Sequence, residues 1–377
     1  MQKRHLIFFV VFNIFLVSLG SGIVWKVTQN RLKYLGISIE SRMGNKVNEI
    51  QKSNFSALQS SLIETITQVK KSVVTITISK DVKFYVEDPS QLNGPGTIQQ
   101  QIAKVGGGSG IIISKKGYIL TNKHVVQDIT AKYSVLLSDG KAYNVDKIWF
   151  DSVLDLAVLK IVDEGKDVSD FYPASFLPFD TNIDVGQFAL AIGNSLSKYP
   201  NNVTMGIIGG KNKQLTINKN NIYIGLYQTD AKVSPGNSGG PLVDINGDIL
   251  GITTAIDEGE GIAFALPISK EFIEATIKSV ENFGKLVRPI IGIQYTDTSP
   301  AIHNGIYIND VIADLPASLA GIKIGDNIVS INGNAITDQL PFLYQLYTYI
   351  PGETISLNIL RDGKQLTLPV LLGGNTQ

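Results

Sequence analysis

Residues 228–244 read QTDAKVSPGNSGGPLVD, and they place Ser238 in a turn rich in glycine and proline. Apolar, strand-like runs lie on both sides of this turn, at residues 222–229 and 248–256. A turn of this composition either connects two strands or holds a hydroxyl nucleophile close to main-chain N–H groups. The second interpretation requires a base and a carboxylate elsewhere in the chain.

Composition narrows the possible chemistry. The chain has 377 residues, enough for two compact domains, and its formal net charge is zero. This charge balance argues against nucleic acid as the main partner. Because the chain contains no cysteine, disulfides, thiolate metal ligands and cysteine nucleophiles are excluded. Only three histidines, His5, His124 and His303, are available for histidine-dependent chemistry.

A base for Ser238 is predicted at His124. A serine hydroxyl is too weakly acidic to attack unaided, and histidine is the usual proton acceptor. His124 lies in LTNKHVV, at the end of an apparent strand within the β-rich region. Asp155, directly before an apolar strand, is the predicted carboxylate partner, and Asp151 is the second candidate. The chain order His, Asp, Ser is that of chymotrypsin-type barrels.

Main-chain donors for a developing oxyanion are predicted at Gly236, Asn237 and Ser238, with the N–H groups of Gly236 and Ser238 pointing at the charge. Gly239 and Gly240 would let a substrate backbone approach closely. The alternative is a turn that only joins two strands, accompanied by a structural histidine and an unrelated aspartate. The three residues occur together and in the expected order, which favours nucleophilic catalysis.

The N-terminal segment is predicted to be a membrane anchor. Residues 6–25, LIFFVVFNIFLVSLGSGIVW, carry no charge and follow Lys3 and Arg4. A helix of this length covers ~30 Å, the hydrocarbon thickness of a bilayer. We therefore expect a cytoplasmic tail at residues 1–5, a transmembrane helix at residues 6–25, and the remaining chain on the periplasmic or extracellular side. A signal peptide cleaved after Gly20 or Gly22 is the alternative.

Three further regions follow the anchor: a polar stalk at residues 26–61, a β-rich domain at residues 62–284 and a smaller domain at residues 285–377. Ile50, Phe55, Leu58 and Leu62 give the stalk a helical face, and a disordered tether is the alternative. Many short strands rich in β-branched residues predict a mainly β fold for the larger domain, either a sandwich or a pair of barrels. The predicted strands are residues 72–79, 108–114, 117–126, 133–139, 155–162, 187–193, 222–229 and 248–256.

Turns and helices complete the predicted architecture. Asn246-Gly247 indicates a hairpin with a two-residue turn. Residues 269–283 form an amphipathic helix that Ser269 can cap, and a linker begins at Gly284. In the smaller domain, strands alternate with helices at residues 316–321 and 338–349, and Asn332-Gly333 and Asp362-Gly363 mark tight turns.

The chain resembles the HtrA family of exported, chymotrypsin-fold serine proteases with C-terminal PDZ domains. The blocks GGGSGIIIS, ILTNKHVV, DLAVLKI, AIGN, QTDAKVSPGNSGGPLVD and GIAFALPI occur in that family's order, and the resemblance covers about residues 62–372. An N-terminal anchor with one protease and one PDZ domain is similar to the membrane-anchored, DegS-type members. The resemblance implies His124, Asp155 and Ser238 as the catalytic triad, two β-barrels with the cleft between them, a homotrimer, and no metal or ATP requirement.

The resemblance also implies two recognition sites. GIAFA, residues 261–265, matches the strand that pairs with substrate, so Ile262, Ala263 and Phe264 are expected to line the specificity pocket. Lys232, six residues before the nucleophile, is also expected at this pocket; an acidic residue there would favour lysine or arginine, so no preference for cleavage after these residues is expected. Ile290, Ile291, Gly292 and Ile293 match the PDZ loop that captures a peptide C-terminus, and the helix around Phe342–Tyr347 forms the other wall of that groove.

Two classes of function follow. The first is a serine endopeptidase that acts on misfolded, regulatory or membrane-proximal exported proteins and is regulated by C-terminal peptides at its PDZ domain. The second is a non-proteolytic peptide-binding protein or chaperone of the same fold. The complete set of triad residues favours the first.

Overall fold

β-strands dominate the computed structural model. It describes residues 56–86, 97–161, 171–193, 202–218, 221–234, 236–257, 261–297, 305–337 and 340–375. Glu64–Gln377 form one compact unit, in which two closed barrels precede a smaller sheet. The predicted mainly β fold with a barrel pair is therefore confirmed.

The first barrel closes in the order β1-β2-β3-β6-β5-β4. Its interior is filled by β-branched and aromatic side chains with almost no exposure, including Val74, Ile76, Ile119 and Tyr143. Such side chains stabilise strands because they pack well on a pleated surface. The elements are β1 Val73–Val86, after a 3₁₀ turn at Lys70–Ser72, then β2 Thr97–Ile112, β3 Tyr118–Thr121, a one-turn helix α1 Lys123–Val126, β4 Lys132–Leu136, β5 Ala142–Phe150 and β6 Ala157–Ile161.

The second barrel closes in the order β10-β11-β12-β9-β8-β7 around a smaller core of alanine, leucine and isoleucine. Its hairpin β8–β9 is long and contains several register shifts. The strands are β7 Phe188–Gly193, β8 Asn202–Asn218, β9 Asn221–Thr229, β10 Pro241–Val243, β11 Ile249–Asp257 and β12 Ile262–Pro267. The helix α2, Lys270–Phe283, follows β12.

Both ends of α2 confirm the sequence prediction. The Ser269 side chain accepts a hydrogen bond from the N–H of Phe272 at 3.2 Å, which satisfies one of the free donors of the first turn. At the other end Gly284 adopts φ 66° and donates to the carbonyl of Val280 at 3.0 Å. The helix is therefore stopped by a left-handed glycine where the linker was predicted to begin.

The β10–β11 hairpin confirms the turn at Asn246-Gly247 but not its length. The N–H of Asp244 donates to the carbonyl of Asp248 at 3.0 Å, so three residues, not two, form the loop. Gly247 takes φ 94°, while Asn246 does not enter the positive-φ region. The loop is a type I turn followed by a left-handed glycine. The side chain of Asp244 favours this turn, because it accepts a hydrogen bond from the N–H of Asn246 at 2.9 Å.

The C-terminal sheet has the strand order β14-β15-β16-β18-β19, with β17 beside β16 and a separate pair β13–β20. Asn332-Gly333 and Asp362-Gly363 adopt positive φ at both residues, as the predicted tight turns require. The second helix is shorter than predicted, because Pro341 precedes its first turn and Pro351 follows soon after its end. The elements are β13 Pro289–Ile290, β14 Ile293–Asp297, β15 Ile306–Val311, α3 Pro316–Leu319, β16 Asn327–Ile331, β17 Asn334–Ala335, α4 Phe342–Leu346, β18 Thr354–Arg361, β19 Lys364–Leu371 and β20 Gly373–Gly374.

A buried arginine joins the C-terminal sheet to the barrels. Arg288 is 1% exposed, and its Nε donates to the carboxylate of Asp151 at 2.7 Å. Its Nη1 donates to Thr276 on α2 at 3.1 Å, and its guanidinium lies 4.2 Å from the ring centroid of Phe272. Tyr347, after α4, covers the guanidinium at 5.6 Å. The charge of Asp151, these hydrogen bonds and the aromatic contacts offset part of the desolvation of this cation, while its Nη2 is buried with no hydrogen-bond partner among the described residues.

The N-terminal predictions fall largely outside the described residues. Residues 56–69 are helical, which includes Leu58 and Leu62 of the predicted stalk face, whereas Ile50 and Phe55 are not described. The predicted tail and anchor, residues 1–25, are also outside the described ranges. Within those ranges, none of the helices combines the length and apolar character needed to span a bilayer.

Candidate functional site

His124 lies on a helix and not on a strand. The strand prediction for residues 117–126 is wrong beyond Thr121, where β3 ends and α1 begins after Asn122. Val125 and Val126 resemble strand residues, but they are buried in the core of the first barrel from a single helical turn. The same helical turn leaves the neighbouring His124 exposed, with 41% of the His124 side chain accessible to solvent.

The imidazole of His124 is fixed by Asp155, as the sequence predicted. Its Nδ1 lies 2.6 Å from Oδ2 of Asp155, and its main-chain N–H donates to Oδ1 at 3.0 Å. With the ring proton on Nδ1, this contact leaves Nε2 as a proton acceptor on the exposed side. Asp155 is only 10% exposed in its side chain. The second candidate, Asp151, is instead engaged by Arg288.

A threonine of the second barrel also binds the carboxylate of Asp155. The Oγ1 of Thr254 donates to Oδ2 at 3.0 Å and accepts from Nδ2 of Asn122 at 3.0 Å. The β11–β12 register places Thr253 opposite Ala265 and Ala255 opposite Phe264, so Thr254 is the extra residue of a β-bulge. A bulge re-aims a side chain next to a site, and here it directs Thr254 at the carboxylate.

The turn that carries Ser238 is held by both barrels. From the first barrel, Ser109 donates its N–H to the carbonyl of Ser238 at 2.9 Å and its Oγ to the carbonyl of Gly236 at 2.8 Å. From the second, Thr253 donates its Oγ1 to the carbonyl of Asn237 at 2.8 Å. The N–H of Gly239 in turn donates to the carbonyl of Thr253 at 3.0 Å.

The Ser238 turn and the His124 helix meet at Gly108. A Cβ atom added to Gly108 would lie 2.6 Å from Cγ1 of Val125, the residue after His124, and 3.4 Å from the carbonyl oxygen of Ser238. The absence of a side chain at position 108 therefore allows these two segments to approach. The structure thus brings His124, Asp155 and Ser238 to one region between the barrels.

Two of the three predicted oxyanion donors are available. Among the described residues, none accepts a hydrogen bond from the N–H of Gly236 or of Ser238, and Gly236 has φ 100°. The N–H of Asn237 is different, because it donates to the carbonyl of Ser234 at 2.9 Å. Asn237 itself is buried, with its side chain against Gly193. The geometry favours Gly236 and Ser238 as donors and gives Asn237 a structural position.

The predicted specificity residues lie on β12 and beside the turn. β12 pairs with β11 on one edge and with β9 on the other over Ala263–Ala265. Within the described part of the chain, both edges of Ala263–Ala265 are therefore occupied, so only Gly261 and Ile262 of the predicted segment could pair with a substrate strand. Ile262 and Phe264 are half-buried, and Ala263 is buried. Lys232 is exposed, while its carbonyl accepts from Thr204 at 2.7 Å.

A second candidate site lies at the loop Ile290–Ile293. The carbonyls of Ile291 and Gly292 accept hydrogen bonds from Ala317 and Ile312, at 2.7 and 3.0 Å. Within the described part of the chain, the N–H groups of Ile291 and Gly292 have no acceptor, so they are available to an anion. Gly292 has φ 82°, and a Cβ there would lie 2.4 Å from Cβ of Leu315, which explains the glycine.

The strand after this loop is an edge of its sheet. β14 pairs with β15 and with no other described strand. α4 faces β14, since the rings of Tyr295 on β14 and Phe342 on α4 lie 5.4 Å apart in an edge-to-face arrangement. Free N–H groups, an open strand edge and a facing helix are the parts needed to bind an extended peptide by its C-terminus.

Thr254, Asn122 and Ser109 are missed by sequence reasoning. Thr254 bonds the carboxylate of Asp155, Asn122 bonds the main-chain carbonyl of Asp155, and Ser109 bonds the turn that carries Ser238. Thr254 is one of several β-branched residues in ILGITTAI, and nothing local distinguishes it from a packing residue. Asn122 carries a weak signal, because a polar residue between two apolar runs is typical of a helix N-terminus.

Comparisons with known proteins agree with this geometry. Residues 108–252 match the model of the trypsin-like peptidase domain, and residues 289–372 match that of the PDZ domain. The serine protease Do-like HtrA of Lactococcus lactis subsp. cremoris is 30% identical over 393 residues, covering 96% of this chain and 93% of the relative. A probable periplasmic serine endoprotease, DegP-like, of Bartonella henselae is 35% identical, covering 70% of this chain and 52% of the relative.

A solved structure gives the same result. The HtrA-type protease AlgW with decapeptide superimposes with a TM-score of 0.58 and 29% identity. The match covers 84% of this chain and 99% of that one. The likeness therefore extends over both the barrels and the C-terminal domain.

The docking of the Ser238 turn can be tested at Gly239. A Cβ there would lie 2.2 Å from the carbonyl oxygen of Ser109, whereas Gly140, with a similar φ of 88°, has nothing within 4 Å. Gly140→Ala should lower the free energy of unfolding by about 1–2 kcal/mol through backbone strain alone. Gly239→Ala should lower it by about 1–3 kcal/mol more, because the added methyl group also clashes. Equal losses in denaturant titrations would show that the turn is not held against Ser109.

Proposed function

Because the chain belongs to the HtrA family of serine endopeptidases, we propose that His124, Asp155 and Ser238 form its catalytic triad. The observation that carries the proposal is the contact of 2.6 Å between Nδ1 of His124 and Asp155, beside a serine turn with two free N–H groups. The non-proteolytic alternative has no observation in its favour. The enzyme is a serine endopeptidase with one PDZ domain.

In the proposed acylation step, Oγ of Ser238 attacks the scissile carbonyl carbon while Nε2 of His124 takes the hydroxyl proton. The carbonyl oxygen becomes an oxyanion and accepts hydrogen bonds from the N–H groups of Gly236 and Ser238. Asp155 remains ionised and stabilises the imidazolium through Nδ1–H. The imidazolium then protonates the leaving amine, and the C–N bond breaks to leave an ester on Ser238.

Deacylation repeats these steps with water. His124 takes a proton from the water as its oxygen attacks the ester carbonyl, and the same N–H groups bind the second oxyanion. The proton returns to Oγ of Ser238 when the ester bond breaks, and the acid product leaves. Thr254 donates to the Asp155 carboxylate throughout, and Asn122 holds Thr254 in place by donating to its Oγ1, because neither residue has to exchange a proton in the cycle.

The loop Ile290–Ile293 is proposed to bind the C-terminal carboxylate of a peptide, whose last residues extend β14 along its open edge. Arg288, two residues before this loop, forms the buried pair with Asp151. Asp151 also accepts from the N–H groups of Val153 and Leu154, at 2.9 and 3.0 Å, in the loop that leads to Asp155. These contacts support regulation of the protease by peptides bound at the PDZ domain.

The proposed substrates are misfolded or regulatory exported proteins near a membrane, and the proposed assembly is a homotrimer anchored through residues 6–25. The charge-free span after Lys3 and Arg4 supports the anchor. A DegP-like relative is named as a probable periplasmic protein, which supports export.

The nucleophile is tested by Ser238→Ala. Removal of the hydroxyl should lower the cleavage rate of an unfolded model protein at least ~10⁴-fold, because no other group can form the ester. The variant should keep the unfolding midpoint and the peptide affinity of the wild type, which excludes misfolding as the cause. Equal cleavage by both proteins would refute the proposed triad.

The PDZ site is tested by one peptide in two forms. A peptide with a hydrophobic C-terminus and a free carboxylate should bind and raise proteolysis. The same peptide with an amidated C-terminus should bind at least about tenfold more weakly, because it loses hydrogen bonds to a charged group. Fluorescence anisotropy and the cleavage rate of a reporter protein measure the two effects. Indistinguishable peptides would exclude carboxylate capture at Ile291 and Gly292.

The anchor is tested by membrane fractionation. The full chain should stay in the membrane pellet after alkaline carbonate extraction, while a chain lacking residues 1–25 should be released. The layers outside the cell membrane are removed while that membrane stays intact. Protease added from outside should then digest the two barrels and leave residues 1–5 protected. Release of the expressed protein by carbonate, with its N-terminus at Ser21 or Ile23, would favour the cleaved signal peptide.

A further inference from the structure

Lys123 is hydrogen-bonded to both ends of the loop that carries Asp155. This loop, residues 151–156, joins β5 to β6 and is called the Asp155 loop below. At its start, Nζ of Lys123 donates to the carbonyl of Asp151 at 3.1 Å. Near its end, the main-chain N–H of Lys123 donates to the carbonyl of Asp155 at 3.2 Å. The residue directly before the proposed base His124 therefore connects α1 with the loop at two separate positions.

We propose that Lys123 is a positioning residue of the endopeptidase, whose side chain fixes the Asp155 loop relative to the helix of His124. The inference rests on the proposed function, because it takes His124 and Asp155 as members of the triad. It assigns Lys123 no contact with the substrate and no proton transfer. The ammonium group acts on the reaction only through the position of the Asp155 carboxylate.

The internal bonds of the Asp155 loop give it a shape but not a position. Val153 is exposed and Leu154 is half-buried, so the tip of the loop is not fixed by burial in a core. The carboxylate of Asp151 accepts from the N–H groups of these two residues. The N–H of Asp151 donates to the carbonyl of Leu156 at 2.9 Å, which closes the loop. None of these bonds joins the loop to α1.

The side chain of Lys123 supplies the contact of α1 with the start of the loop. Its neighbours in the chain, Asn122 and His124, also donate to the loop, but they donate to Asp155. Among the described residues of this segment, only Lys123 donates to Asp151. Without this bond, α1 would hold the loop at one end, and the loop could rotate about Asp155. Such a rotation would lengthen the contact of 2.6 Å between the carboxylate and Nδ1 of His124.

An ammonium group suits this contact. It is a charged donor on a flexible stem, and a hydrogen bond from a charged donor is stronger than one between neutral groups. Lys123 is half-buried, so water competes less for its bond than at a fully exposed position. The carboxylate of the same Asp151 is bound by Arg288 at 2.7 Å. Asp151 is thus held through its carbonyl by α1 and through its carboxylate by the C-terminal domain.

Lys160 on β6 offers a matched control. Its Nζ also donates to main-chain carbonyls, those of Lys116 at 2.7 Å and Ile161 at 3.2 Å. Lys160 is half-buried and belongs to the first barrel, as Lys123 does. Its acceptors lie between β2 and β3 and at the end of β6, whereas Asp155 precedes the start of β6. Lys123→Met and Lys160→Met therefore remove the same kind of bond, and only the first releases the Asp155 loop.

The experiment measures kcat and KM for a fluorogenic peptide substrate. Lys123→Met should lower kcat about tenfold, because a displaced carboxylate no longer holds the imidazole in the reactive position. KM should stay within about twofold of the wild-type value, since Lys123 does not contact the substrate. Lys160→Met should change neither constant. Lys123→Arg, which keeps a cationic N–H donor, should recover most of the lost kcat.

Unfolding midpoints in denaturant separate positioning from folding. A kcat that falls equally in Lys123→Met and Lys160→Met would overturn the inference and leave Lys123 a residue that stabilises the barrel. A kcat for Lys123→Arg no higher than that of Lys123→Met, with both variants folded, would overturn it as well. Lys123→Gln replaces Lys123→Met if the latter fails to fold.

A second measurement avoids turnover and peptide binding. In the labelling of the full chain by a small fluorophosphonate, Oγ of Ser238 forms a P–O bond, fluoride leaves, and Nε2 of His124 takes the hydroxyl proton. Lys123→Met should be labelled about tenfold more slowly than the wild type, and Lys160→Met at the wild-type rate. Labelling of Lys123→Met at the wild-type rate would overturn the inference. Cleavage that persists in Ser238→Ala would instead refute the proposed triad.

Discussion

An ionised carboxylate nearly removed from water is the constraint around which the two barrels meet. Burial without donors would favour the protonated form of Asp155, and a protonated Asp155 could not stabilise an imidazolium. α1 of the first barrel supplies the two donors of His124, and the second barrel supplies Thr254. The donors to this carboxylate therefore come from both barrels. The site consequently lies where the barrels touch and not inside either one.

The same contact explains the glycines of the two most distinctive blocks. The turn that carries Ser238 packs against β2 so closely that a Cβ at Gly239 would lie 2.2 Å from the carbonyl oxygen of Ser109. One residue earlier on β2, a Cβ at Gly108 would meet Cγ1 of Val125 at 2.6 Å. Glycine is required at both positions for a steric reason, independent of the chemistry of the hydroxyl. The packing of this turn against β2 therefore also fixes the position of Ser238.

Local signals predict those parts of the fold that are decided within a few residues. The cap at Ser269, the left-handed stop at Gly284 and the tight turn Asn332-Gly333 all follow from side-chain and backbone preferences at neighbouring positions. The helix of His124 does not, because its two valines are placed by burial in a barrel that distant strands complete. Thr254 needs a bulge opposite β12, and pairing between separate strands lies beyond local preference. The proposed base His124 was predictable because the chain has only three histidines, and the proposed nucleophile because Ser238 lies in a distinctive glycine-rich turn, whereas Thr254, Asn122 and Ser109 carry no comparable signal.

The pair Arg288–Asp151 connects the start of the C-terminal domain with the loop that leads to Asp155. Asp151 shapes the loop to Asp155 by accepting from Val153 and Leu154, and Arg288 lies two residues before the carboxylate-binding loop. Separating a buried ion pair by removing one partner costs about 3–5 kcal/mol, so displacement of one partner tends to carry the other with it. A movement of Ile290–Ile293 would therefore be resisted by the buried pair Arg288–Asp151 more than it would be by an exposed linker. A covalent and hydrogen-bonded route from the proposed peptide groove to the proposed catalytic carboxylate therefore runs through this arginine.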